Sequence, residues 1–91
     1  MTPDSQSVEA IGARLKELRE ASGLSQAAWC RSVGITTTAW NRYEHATLRI
    51  GIDQAFKVVL KTGASLDWIY RGQGSPPPRL RTPQATRPLS Q

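Results

Sequence analysis

Apolar residues recur every third or fourth position through most of this chain. Val8, Ile11, Leu15 and Leu18 form one stripe, and Arg14, Lys16, Glu17, Arg19 and Glu20 fill the other faces. That period predicts an amphipathic helix over Val8–Ser22. Ser7 stands at its start, where a hydroxyl can accept an orphan N–H, and Gly23 at its end, where a left-handed residue can close it. The same grammar then repeats. Ser25 caps a second predicted helix, about Gln26–Val33, with Trp29 and Val33 one turn apart. Gly34 suits a position of positive φ. Thr36 or Thr37 caps a third helix that ends near His45, with Trp40 and Tyr43 facing inward. Residues 46–50 read as a loop. Gly51 and Asp53 mark a fourth helix, Ile52 to about Thr62, which Gly63 ends. Its expected inward face is Ile52, Ala55 or Phe56, Val59 and Leu60. Ser65 caps a short fifth helix, Leu66–Tyr70, with Asp67 at the end where the helix dipole favours a negative charge.

Five short helices, no strand pattern and short connections predict a compact all-α bundle around one core. The organisation expected is a flexible N-terminus over 1–7, a helical domain over 8–74 and a tail over 75–91. That tail holds five prolines and has no apolar period, so it is expected to be disordered or extended. The apolar runs are short, such as Ala27–Cys30, against the roughly 20 residues that span a bilayer. No basic-then-apolar leader is visible at the N-terminus. The single cysteine, Cys30, has no partner for an internal disulfide. Together these predict a cytoplasmic protein in a reduced setting, with no membrane association.

Net charge is +5. Residues 1–74 hold nine Lys or Arg against seven Asp or Glu, while Arg79, Arg81 and Arg87 stand in the tail without acids. A basic balance favours polyanions, but the helical part is only mildly basic. Charge alone therefore gives weak support for a nucleic-acid partner.

Catalytic and metal chemistry find no residue set. One His and one Cys cannot supply the roughly four ligands of a zinc site. Cys30 falls on a mostly apolar helix face, which favours an inert buried thiol over a nucleophile. Gly72-Gln73-Gly74-Ser75 leads into prolines, so it is no phosphate loop. The expectation is a non-enzyme with no metal, no cofactor and no evident small-molecule ligand.

Two helices flanking Ser32–Thr36 have the layout of a helix-turn-helix at about residues 26–45, whose second helix can enter the DNA major groove. Beyond layout, Leu24-Ser25-Gln26, Gly34, Trp40-Asn41-Arg42-Tyr43-Glu44 and Gly63-Ala64-Ser65-Leu66-Asp67-Trp68-Ile69 resemble the lambda-type repressor and Cro family, the XRE family. The resemblance runs without a gap from about Ile11 to Gly72. It implies a five-helix lambda-repressor-like DNA-binding domain. It also implies a transcriptional regulator of phage or mobile-element type, a repressor that binds an inverted-repeat DNA operator as a homodimer without a cofactor.

Position by position, the resemblance places Gln26 at the DNA backbone. It sets Thr36, Thr37 and Thr38 at the start of the recognition helix, with one of Thr36 and Thr37 spent as the cap. Asn41 and Arg42 lie one turn on. Asn can pair with adenine and Arg with guanine, and for Arg42 base and phosphate stand as equal alternatives. Arg49, in the following loop, is the expected phosphate contact, with His45 and Thr47 as weaker candidates there. Arg14 and Lys16 read as solvated before they read as DNA contacts. Arg19 and Glu44 match a structural ion pair that joins the first and third helices. Trp29 and Trp40 stand where the family has aliphatic core residues, and Ala46 where it often has glycine. Trp68 and Tyr70 are the expected dimer surface, the alternative being that Trp68 and Ile69 only complete the monomer core. A different class of function also fits the fold: a protein-interaction adaptor or antitoxin-like module.

Overall fold

Hydroxyl side chains set most of the helix starts. In the computed structural model, which describes residues 5–74 and Pro77, the order is α1 (Val8–Ser22), α2 (Gln26–Val33), α3 (Thr37–Glu44), α4 (Ile52–Thr62) and α5 (Leu66–Arg71). Ser7, Ser25, Thr36 and Ser65 each accept a hydrogen bond from the N–H three residues on, at 3.0–3.2 Å. These caps open every helix except α4, which follows Gly51 without a side-chain cap. Thr36, not Thr37, is thus the cap of α3. α1, α2, α4 and α5 stop at left-handed glycines. α3 stops without one: Ala46 itself takes φ 61°. The N–H of Ala46 donates to Tyr43 and that of Thr47 to Arg42, at 3.2 and 3.0 Å. An L-residue in this region carries roughly 1–2 kcal/mol of strain.

One core joins all five helices. Ile11, Leu15 and Leu18 from α1 meet Trp29, Cys30 and Val33 from α2 and Trp40 and Tyr43 from α3, with Ile35 and Ile50 closing the turns. Trp29 and Trp40 are both fully buried. Their rings lie 5.4 Å apart at 59°, and Trp40 meets Tyr43 edge-on at 6.1 Å. Such tilted pairs bring the positive edge of one ring to the negative face of the other. α1 and α3 approach each other tightly at Gly12. A Cβ at Gly12 would overlap the Tyr43 carbonyl oxygen, so that crossing requires glycine.

α4 departs from the expected orientation. Ala55 and Val58 are its buried residues, and Val59 packs partly against the core. Ile52, Phe56 and Leu60 point outward, at 50%, 48% and 87% exposure. Six apolar residues in eleven positions trace two overlapping stripes, and the core accepts the one that carries Ala55 and Val58. α5 departs as well. Trp68 is buried and belongs to the core beside Ile69. Tyr70 is half-buried, and its hydroxyl donates to the Ile50 carbonyl at 2.7 Å. Of the pair expected at a dimer surface, Trp68 is therefore core, while Tyr70 keeps part of its ring exposed.

No described helix is long and apolar enough to cross a membrane. Most of the expected tail, 75–76 and 78–91, and most of the expected flexible N-terminus, 1–4, lie outside the described residues. Pro77 does not: it is buried, and it lines one pocket together with Leu18, Ala21, Leu24, Trp29 and Lys61.

Candidate nucleic-acid interface

The third helix is divided lengthwise. Trp40, Tyr43 and half-buried Glu44 face the body of the domain, while Thr37, Thr38, Asn41 and Arg42 are exposed. Positions i, i+1, i+4 and i+5 share one side of a helix, so these four form a single outward face. Gln26, at the first turn of α2, joins them: Gln26, Thr37, Thr38, Asn41 and Arg42 line one open concavity. No hydrogen bond within the described residues occupies their side chains. Two donors of the Asn and Arg type beside two threonine hydroxyls and methyls are groups that can read base edges. The α2 N-terminus adds free N–H groups and a partial positive charge beside Gln26.

Thr36 stands apart from this set. Its oxygen accepts from Ala39, and it lines a neighbouring concavity with Arg31, Gly34 and Thr37. Its O–H proton can still donate to a phosphate. Arg31 was not among the residues singled out from the sequence. It is exposed in the last turn of α2, which places a cation beside the concavity that Thr36 and Thr37 also line. A basic residue inside a helix-turn-helix was the available signal.

A polar brace fixes α3 from behind its exposed face. Arg19 Nε donates to Glu44 Oε2 at 2.6 Å, and Arg19 Nη2 to Oε1 at 3.1 Å. The two side chains are only 18% and 7% exposed. The Trp40 indole N–H donates to the same Oε2. Glu44 therefore accepts from both α1 and its own helix, and Trp40 is a polar anchor as well as core. The bond to Glu44 raises the Arg19 pKa above its ordinary value despite an opposing desolvation effect, so Arg19 stays charged. The spacing of Trp40 and Glu44, four residues on one helix, was a legible sign of this contact.

The other basic candidates hold the chain together. Arg49 donates through Nη1 to the Gln6 carbonyl at 2.8 Å, which uses one of its five donors. Arg14 Nε donates to the Ile69 carbonyl at 3.0 Å and its Nη2 to Ser5. Burial pushes the Arg14 pKa down, partly offset by Glu17. Arg14 is thus a tie between α1, α5 and the N-terminal segment. Lys16 is exposed. His45 Nδ1 lies 2.8 Å from the Asn41 carbonyl. A carbonyl only accepts, so that nitrogen carries the proton in this bond. Thr47 donates to the Arg42 carbonyl at 3.3 Å. Burial raises the Cys30 pKa, which keeps the thiol neutral.

Comparison with known proteins agrees with this geometry at the level of class. Residues 10–54 match the family model for a helix-turn-helix domain. The match spans most of α1, all of α2 and α3, and the first turn of α4. The described residues are thus all-α, and residues 10–54 are similar to a helix-turn-helix domain, a unit found in DNA-binding regulators. No curated protein and no solved structure matches it.

Proposed function

We propose that this protein is a sequence-specific regulator that binds double-stranded DNA, of the lambda repressor and Cro type, and acts in the cytoplasm as a repressor. α3 enters the major groove and α2 braces across the backbone. Asn41 and Arg42 read bases, Thr37 and Thr38 contact bases or the adjacent backbone, and Gln26 holds a phosphate. Thr36, Arg31 and Arg49 are the further backbone contacts. Two copies bind an inverted repeat, with half-site centres about one helical turn apart, roughly 34 Å. The observation that carries this reading is the single concavity in which five side chains of the right chemistry converge without partners.

The test is a fluorescence-anisotropy titration of operator-length duplexes over a series of salt concentrations. Arg42→Ala and Asn41→Ala should each weaken binding to the preferred sequence by about 1–3 kcal/mol and relax preference at one base position. Arg31→Ala should weaken all sequences alike and lower the salt slope by about one unit. Unchanged affinity in both Arg42→Ala and Asn41→Ala would rule out this face as the reader.

A further inference from the structure

Three large apolar side chains stand in water on one ridge of α4. Ile52, Phe56 and Leu60, spaced four residues apart, are 50%, 48% and 87% exposed. Such a contiguous patch on a small chain marks an interaction surface. Its charged border identifies the occupant. Asp53, Lys57 and Lys61 each follow one of the three apolar residues by a single position, so they form a second row along the same side of the ridge. The row is negative at the start of the helix and positive at its end. Lys57, in the middle, is turned aside: its Nζ donates to the Gly34 carbonyl at 2.9 Å.

We propose that a second copy of this chain covers the ridge, with the two α4 helices antiparallel about a two-fold axis at Phe56. An antiparallel pair sets equivalent flanks against each other. Phe56 then meets Phe56 of the other copy, Ile52 meets Leu60, and Asp53 lies opposite Lys61 at both ends. A parallel pair would instead set this row against the opposite flank of the other helix, where Ala55 and Val59 carry no charge, and the end pairs would be lost. The ridge offers roughly 350 Å² per copy at ordinary side-chain areas, about half the ~800 Å² of a standard partner surface. The self-association is therefore weak, and a two-site operator would reinforce it by binding both copies. This dimer surface belongs to the dimeric part of the function proposed above. Its test uses no DNA, so its failure leaves the reading face of α3 untouched.

The experiment is sedimentation equilibrium of the 91-residue chain from micromolar to near-millimolar concentration, with far-UV circular dichroism as the fold control. The chain should pass from monomer to dimer across that range. Phe56→Glu and, at the more exposed position, Leu60→Glu should each raise the dissociation constant by at least about tenfold with helix content unchanged. Asp53→Lys should weaken the dimer, and Asp53→Lys with Lys61→Asp should restore it to within about threefold of the starting value, because the double swap rebuilds both end pairs with signs reversed. A chain that stays monomeric throughout overturns the proposal, as would be the case if a different protein covers the ridge. A dimer indifferent to Leu60→Glu, or a double swap as weak as Asp53→Lys alone, overturns it too.

Discussion

Replacing Arg19 by methionine separates two roles of the brace behind α3. The substitution keeps the aliphatic stem and deletes both bonds to Glu44, of 2.6 and 3.1 Å. Glu44, only 7% exposed, would keep the Trp40 indole as its partner in this cluster. Breaking a buried pair from one side costs about 3–5 kcal/mol, because a charge is left behind without its counterion. Arg19 is 18% exposed, so water can reach the gap, and a loss of about 2–4 kcal/mol is expected. Trp40→Phe removes a single donor and should cost about 1–2 kcal/mol beyond the small change in packing. Replacing Arg19 by Met and Glu44 by Leu together should cost less than the sum of the two single changes, since no charge is stranded, with the remaining loss set by the Trp40 N–H that has lost its acceptor. Urea denaturation of all variants with a shared slope gives these numbers, and DNA titration at equal folded fraction reports whether α3 has also lost its orientation. A loss below about 0.5 kcal/mol for Arg19→Met, or a double variant whose cost equals the sum of the singles, would refute the reasoning.

Gly12→Ala places a Cβ on the Tyr43 carbonyl oxygen. It should lower stability by about 1–3 kcal/mol in a chemical melt, although alanine ordinarily favours a helix. Ala46→Gly relieves a positive φ of 61° and should raise stability by about 0.5–1 kcal/mol, read from the same melt, after the entropy cost of glycine is taken off. Burial raises the pKa of Cys30, Tyr43 and Tyr70. The folded chain thus keeps protons that the unfolded chain releases. Its stability should be flat below the ordinary thiol and phenol values and fall as pH climbs past about 9 to 10. Thermal melts from pH 7 to 11 check this, and Cys30→Ala should soften the first part of the decline.

How much of this architecture the sequence discloses depends on range. Helix starts at Ser7, Ser25 and Ser65, and stops at Gly23, Gly34 and Gly63, are local events, and the residues that cause them lie within one turn. The inward face of α4 was not legible. Its six apolar residues allow two stripes, and which one turns inward depends on helices distant in sequence, against which Ala55 and Val58 pack. Trp68 shows the same limit in α5, where a large aromatic on a short helix reads first as surface, with core as the alternative, and the structure places it in the core. At the candidate site, the outward set Thr37, Thr38, Asn41 and Arg42 follows from helix spacing once Trp40 and Tyr43 are inside. The pairing of Arg19 with Glu44 came from family resemblance, since 25 residues separate them. Arg49 with Gln6 and Arg14 with Ile69 span 43 and 55 positions. Nothing local marks such contacts, so Arg49 read as a free cation.

The central claim is that the concavity formed by Gln26, Thr37, Thr38, Asn41 and Arg42 recognises a DNA sequence. The most direct measurement is selection of bound molecules from a pool of random duplexes, run at two salt concentrations with the unaltered chain and with Arg42→Ala. An inverted-repeat consensus for the unaltered chain is predicted, persisting at the higher salt and losing one base preference per half-site in the variant. Recovery of no enriched sequence, or of the same consensus from both proteins, would contradict it.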